Sequence, residues 1–362
     1  MAQFTRHELG VHLGQPARDY LADVGLGYSA IKENVISPVE WWHKSPFNPT
    51  RKAPTWTKAF FRGEATHTFF LDGKRMYERM FAVYPTASSH PHYLDTVAQL
   101  QMACAQHGLS TLGNKPDLIK RLIKAKAPVK ILEHERGLIL RKAKREIAEE
   151  DDTRIRILYA QAMRDPKELM LPDGEHLTLK DAFANALNEV SVYWIDEFGI
   201  RQRARFDFLK PNFTGDLKSI TDWNAGDFRT ALLREVVFRG YLIQQAHYRE
   251  ARHQLRIAVD EGRVFGGNKT QRKRLGEIAS AEDWAWLFVF AKLDGAPQVR
   301  GIVTNHDNPR YSRAVEQRMK ALTLHTAYHE FFGGYETPWF DPDVIWTPTD
   351  EDWPMMGEFG RI

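Results

Sequence analysis

Thiol chemistry is almost missing from this sequence, since Cys104 is its one cysteine. That excludes an internal disulfide and any zinc site built on several thiolates. Long apolar runs are missing too. None approaches the ~20 residues that span a bilayer, and the mean hydropathy is −0.48. The opening MAQFTRHELG has no apolar segment of the kind found in a secretory signal. These gaps together predict a soluble protein of a reducing cytoplasm. Charge of one sign is not in excess either: 50 Lys and Arg face 47 Asp and Glu, a net +3. The total therefore gives no reason to expect a nucleic-acid partner. What the chain does have is core material, 43% hydrophobic and 12% aromatic residues, which excludes disorder throughout. At ~150 residues per domain, its 362 residues suggest two domains, or one domain with an insertion.

The charge is distributed unevenly. Basic residues gather at Lys115 to Lys130, Arg136 to Arg145 and Arg263 to Arg274. The last stretch, Tyr335 to Ile362, holds seven acids and one base, Arg361. Such segregation permits a basic groove on a nearly neutral protein.

Periodicity and turn signals divide the chain. Residues 27–45 read as short helices, with Ser37-Pro38 as a helix start, and a loop follows at NPTRKAPTW. Apolar spacing predicts a helix over Thr57 to Leu71 and two short amphipathic helices between Leu94 and Lys126. It also predicts a long charged helix over Leu132 to Asp152 and another over 179–190. Val190 to Ile195 is β-branched and aromatic and reads as a strand. Arg201 to Leu209 alternates, and KPNFTG turns the chain into a strand at Asp216 to Ile220. A long helix is expected over Asn224 to Val259, strands over Trp286 to Leu293 and Val299 to Thr304, and a closing helix over Tyr311 to Phe331. No fixed-period repeat is present. The order predicts a mixed α/β fold.

The chemistry concentrates between Glu189 and Tyr248. On an extended strand Asp216 and Lys218 point to one face and Leu217 to the other. Asp207 lies nine residues before Asp216, and the intervening turn brings it back beside Asp216. Two carboxylates and an ammonium thus meet on one hairpin. Paired carboxylates suit Mg²⁺, a hard cation that prefers oxygen ligands, and such an ion stabilises charge on a phosphoryl oxygen. Asp-x-Lys alone is a weak signal, because an aspartate at a strand end is usually a turn or cap residue.

The wider text NEVSVYWID…GIRQRARFDFL…GDLKS…YLIQQAHY resembles the PD-(D/E)XK nucleases. Among them it is most similar to the exonuclease VIII (RecE) family and its lambda-exonuclease and RecB-nuclease relatives. SPVEWWHKSP and the glycine-to-histidine segment in KAFFRGEATHTFFLD resemble the family's opening. The resemblance implies a restriction-endonuclease-like core, a central mixed sheet flanked by helices. It implies Asp207 and Asp216 as metal ligands, joined by the Leu217 carbonyl and by His67, and Lys218 as the catalytic lysine. Glu189 would bind metal itself or act on a ligand. Gln244 and Tyr248, one helical turn apart, would position the nucleophile or the phosphate. His67 has an equally good reading as a packed helix histidine. Phe206 stands where many relatives have proline, and Ser219 where threonine is commoner. The implied activity is a Mg²⁺-dependent exodeoxyribonuclease, with Mn²⁺ able to substitute, that resects linear double-stranded DNA from 5′ ends for recombination. The implied setting is the cytoplasm of a bacterial or phage-infected cell, with a ring-shaped homo-oligomer and a single-strand annealing protein as partner.

Leu94 to Ala125 is similar to a SAP module, a helix–extended loop–helix unit. Its Lys115, Lys120, Arg121 and Lys124 would meet DNA phosphates, in an affinity that falls with salt. Arg263 to Arg274 reads as a flexible loop beside the hairpin, with Arg272, Lys273 and Arg274 on phosphate. Trp339, Trp346 and Trp353 punctuate the acidic end, which either docks on a partner or folds back. The expected divisions are 1–91, 92–127 for the insertion, 128–335 for the nuclease core and 336–362 for the tail. A non-catalytic DNA-binding accessory protein, and a single-strand exonuclease or endonuclease, stay open as alternatives.

Overall fold

In the computed structural model, which describes residues 5–52, 57–142, 144–171, 174–220, 227–304 and 307–341, the apolar runs of the second half assemble into one sheet. Among the described residues seven strands form it: β1 (Gly10–Leu13), β2 (Leu187–Ile195), β3 (Arg201–Lys210), β4 (Phe213–Ile220), β5 (Val264–Gly266), β6 (Ala285–Lys292) and β7 (Gln298–Thr304). Their spatial order is β7-β6-β4-β3-β2-β1-β5. Strands β2, β3 and β4 are an antiparallel meander, while β4 and β6 run parallel. The fold is a mixed α/β one with helices on both faces of a central mixed sheet. Strand β6 (AWLFVFAK) shows why the sheet is covered twice. Its Leu287, Val289 and Ala291 enter one core, and Trp286, Phe288 and Phe290 enter the other, as a strand buried on both faces requires.

Helices α1 (Lys58–His67) and α5 (Glu149–Arg164) close the first core. Helices α6 (Phe228–Phe238), α7 (Tyr241–Asp260) and α8 (Lys269–Ser280) close the second. A third cluster joins the helix Tyr28–Ile36 to α9 (Pro309–Phe331) and takes in Trp41, Trp42 and Trp339. Thus Trp339 folds back on the body, whereas Trp346, Trp353 and the acids beyond 341 lie outside the described residues.

The insertion is a small unit of its own. Helices α2 (Val97–Gln106) and α3 (Lys115–Lys124) enclose Leu100, Ala103, Cys104, Leu118 and Leu122. Thr96 and Gln99 form a capping box on α2, and the Asn114 side chain caps α3. A backbone bridge between Leu94 and Ile131 pins the two ends together, so the segment leaves and rejoins the body at one point. Cys104 is buried and packs as a small apolar residue.

Four expected elements differ. The charged stretch over Leu132 to Asp152 is two helices, α4 (Leu132–Arg141) and α5, with the strand Arg145–Ile147 between them. Glu149, Glu150, Asp151 and Asp152 explain the break. They would oppose the negative end of one long helix, and instead stabilise the first turn of the next. The helix expected over 179–190 ends at Phe183, because Leu187 begins pairing opposite Leu209. The helix expected over Asn224 to Val259 is α6 and α7, split at Gly240 with φ of 68°; its start lies outside the described residues. Arg263 to Arg274 is not a flexible loop. It supplies β5 and the first half of α8, at the sheet edge beyond β1.

Candidate active site

The β3–β4 hairpin turns at Pro211-Asn212 and pairs Phe208 with Gly215. Gly215 is needed for packing. A Cβ there would stand 2.0 Å from the Phe208 ring. The ladder between β2 and β3 pairs Asn188 with Phe208 and Val190 with Phe206, and it is interrupted between them, at Glu189 and Asp207. Glu189 has φ of 57°, a left-handed conformation unusual for a side chain other than glycine and asparagine. Across Asp207 the facing rule fails: Phe206 enters one core and Phe208 the other, though two residues apart should share a face. Backbone strain of this kind concentrates at functional sites. Here it turns two carboxylates toward the end of α1.

His67 is the last residue of α1, where the helix loosens into a π-helical turn, Thr68–Asp72, a feature frequent at functional sites. Its Nδ1 lies 3.8 Å from Asp207 Oδ2. One ligand atom each from His67, Glu189 and Asp207 lie within 4.8 Å of one another. Asp207 Oδ2 also accepts the Leu217 backbone N–H at 2.7 Å, which pins the carboxylate across the hairpin. Burial pushes the Asp207 carboxyl up to about 7; His67 opposes this and Asp216 adds to it. The half-buried carboxylate thus sits where its surroundings disfavour its negative charge.

The second group of residues stands on the α7 face. Asp216 is 2% exposed. Its Oδ1 accepts from Gln244 Nε2 at 2.6 Å, and its Oδ2 lies 2.7 Å from Lys218 Nζ. The Lys218 ammonium sits 4.8 Å from the centre of the Tyr241 ring. Burial works to lower the Lys218 pKa, but Asp216 and then Asp207 outweigh it and raise it, so the group is an ammonium at neutral pH. Tyr248 instead directs its hydroxyl to the Arg205 carbonyl at 2.9 Å and packs edge-on against Phe206 and Trp286. In this geometry it braces α7 on β3 and does not reach the carboxylates.

Sequence reasoning missed two participants. Arg205 donates from Nε to Glu189 and from Nη1 to Ser191 Oγ at 2.9 Å, and so fixes the strained glutamate. Tyr241 faces Lys218. Arg205 precedes Asp207 by two positions and Tyr241 precedes Gln244 by three, spacings that signal proximity only once the strand and the helix are known.

The basic candidates are used differently. Lys115 pairs with Asp95 at 3.0 Å and Glu133 at 3.5 Å. Arg121 donates to the Ser110 and Leu112 carbonyls, holding the loop between α2 and α3. Lys120 and Lys124 are exposed and, with His134 and Arg141, line a groove between α3 and α4. Arg272 donates to the carbonyls of Val264 and Gly266, Arg274 to Asn185, and Lys273 lies 3.8 Å from Glu277. Arg272 thus ties α8 to β5, Arg274 ties it to the segment before β2 and Lys273 pairs within α8; none of these contacts involves Glu189, Asp207 or Asp216.

Residues 96–126 match the family model described as SAP domain. Among solved structures the chain is similar to the crystal structure of a "Putative exonuclease" from Eubacterium rectale. Identity is 11% and the TM-score 0.44, over 87% of this chain and 88% of that one. No curated protein matches the chain at a significant level. No helix among the described residues is long and apolar enough to cross a membrane.

Proposed function

We propose that the chain is a Mg²⁺-dependent exodeoxyribonuclease of the exonuclease VIII (RecE) type, resecting linear duplex DNA 5′ to 3′ and leaving 3′ single strands. The observation that carries the reading is the convergence of His67, Glu189 and Asp207 within 4.8 Å beside the Asp216–Lys218 pair. Ligand atoms around an octahedral ion at about 2.1 Å stand about 3 to 4 Å apart, so this donor set fits a small divalent cation after slight contraction. His67, Glu189 and Asp207 would hold it, with Asp216 and the Leu217 carbonyl alongside. When bound, the ion supplies Lewis-acid stabilisation of a phosphoryl oxygen and a more acidic water.

The chain's own groups do the rest. Lys218, a half-buried ammonium, orients the attacking water and offsets charge that develops on the phosphate. Asp216 holds Lys218 through Oδ2 while Gln244 holds Asp216 through Oδ1. Arg205 keeps Glu189 aimed at the site. Polarity, a ring-shaped assembly and an annealing partner are proposed on the sequence resemblance. The SAP match supports duplex DNA as substrate, with Lys120 and Lys124 as its phosphate contacts.

The test is digestion of end-labelled linear duplex with Mg²⁺, with closed circular duplex and single strands as comparison substrates. Linear duplex should be shortened from its 5′ ends, while Asp216→Ala and Lys218→Ala abolish digestion. No digestion by the wild-type protein, or digestion unchanged in both variants, removes the nuclease reading. DNA binding without metal binding would instead favour a non-catalytic accessory protein.

A further inference from the structure

On the far half of α7, three arginines, Arg249, Arg252 and Arg256, stand at spacings of three and four residues, with His253 on the same stripe. Like charges at those spacings repel and destabilise a helix. They line a pocket of about 180 Å³ with Ile278, Ala279, Glu282 and Trp284, roughly the space of six waters at ~30 Å³ each and so enough for one tetrahedral oxyanion. Arg249, His253 and Arg256 are exposed at the mouth, and Arg252 is 4% exposed at the floor.

Arg252 is the informative member. Its Nη1 donates to Thr214 Oγ1 at 2.9 Å and its Nη2 to the carbonyls of Lys210 and Pro211. The guanidinium lies 4.6 Å from the centre of the Trp284 ring. Its Nε is buried with no partner. Burial pulls the group down to about 9 with no carboxylate holding it up. A buried cation facing neutral oxygens and an unused donor is short of an anion. The one carboxylate of the pocket, Glu282, is exposed at the rim. Arg249 also bonds the side chain of Tyr311, which directs part of its capacity elsewhere and leaves His253 and Arg256 as the open donors at the mouth.

We propose that this pocket binds a phosphate group, with the unused Nε of Arg252 donating from below and His253 and Arg256 closing on it from the mouth. The exposed guanidinium fork of Arg256 matches the oxygens of phosphate. The pocket lies on the same i, i+4 ridge of α7 as Gln244 and Tyr248, about 12 Å along the helix from Gln244 at 1.5 Å per residue. Two sources share this chemistry: a phosphate of a bound nucleic-acid strand, which rests on the proposed nuclease reading, and a free phosphate, which does not.

The full chain in EDTA is titrated with inorganic phosphate, by calorimetry and thermal melting, against sodium chloride at equal ionic strength. Phosphate should raise the melting temperature beyond chloride, as ligand linkage requires. The exposed double variant His253→Gln/Arg256→Gln should keep its fold and bind phosphate at least about tenfold more weakly, as loss of charge-assisted bonds predicts. Fluorescence anisotropy with a labelled duplex separates the sources. Weaker duplex binding by the double variant, with phosphate competing, assigns a strand phosphate. Unchanged duplex binding with phosphate binding lost assigns a free one. Phosphate that acts no differently from chloride, or that binds wild type and variant alike, overturns the site. None of these readings uses hydrolysis, so an inactive protein that binds phosphate here would remove the nuclease reading alone.

Discussion

Gln244 Nε2 donates to Asp216 Oδ1 at 2.6 Å, joining α7 to β4 across 28 residues of sequence. Both side chains are buried, so neither can exchange this bond for one to water. Gln244→Leu removes the donor and leaves a buried carboxylate oxygen unpaired, a loss of about 1–3 kcal/mol. The melting temperature should fall, and DNA hydrolysis should fall by one to two orders of magnitude. Gln244→Leu should therefore melt below the wild-type protein. Equal melting of the two would show that the bond does not carry the effect.

Arg205 donates to Glu189, whose left-handed backbone needs an external constraint. Replacing it by alanine frees the glutamate to leave the site. Partners of metal ligands typically change affinity by about 10–100-fold when removed, so Arg205→Ala should weaken Mn²⁺ binding to that degree in calorimetry. Arg205→Lys, which keeps the charge but loses the fork, should fall between the two. Wild-type affinity in Arg205→Ala would place Glu189 outside the ligand set.

The lysines of the insertion should separate into two classes. Lys120 and Lys124 are open to solvent, whereas Lys115 bridges Asp95 and Glu133. Lys120→Gln/Lys124→Gln should weaken duplex binding and reduce the slope of log affinity against log salt by about 2. Lys115→Gln should loosen the module while changing that slope little. Identical salt slopes in all three proteins would move the DNA contact off α3.

His325 gives a pH signature unrelated to the site. Its Nδ1 lies 3.1 Å from Asn34 Oδ1 and its Nε2 2.9 Å from the Tyr335 hydroxyl. Burial pulls its pKa down to about 3. The folded state therefore holds it neutral while the unfolded chain takes up a proton below about 6.5. Its stabilising contribution is complete above that value and is lost as pH falls toward 3, by up to about 1.4 kcal/mol per unit. His325→Gln should flatten the acid side of the stability profile in denaturant titrations. An unchanged acid slope would show that other groups dominate it.

Local chemistry carries well through this chain. The meander 190–220 and the strands after 285 were legible from β-branched alternation, the insertion from its two amphipathic helices and glycine-containing loop, and the hairpin from KPNFTG. These signals are short-range, and each is set by which face of a strand or helix must avoid water. Where long-range pairing decided, the reading failed. Leu187 to Glu189 has helix-forming neighbours but is drawn into β2 by its partner Leu209, and Arg263 to Arg274 has loop-like composition but is ordered by pairing with β1 and packing beneath α7.

The sequence by itself determined the mixed α/β class, the segment that matches a SAP module and the carboxylates and lysine of the hairpin. Only the tertiary structure decided how they are used. It placed His67 beside Glu189 and Asp207, gave Glu189 its strained backbone and an arginine partner, turned Tyr248 into a brace, and gathered three arginines and a histidine of α7 around Trp284. Those arrangements depend on side chains brought together from α1, β2, β3 and α7, and on the desolvation that follows. Burial and charge pairing in three dimensions are quantities that no local pattern encodes.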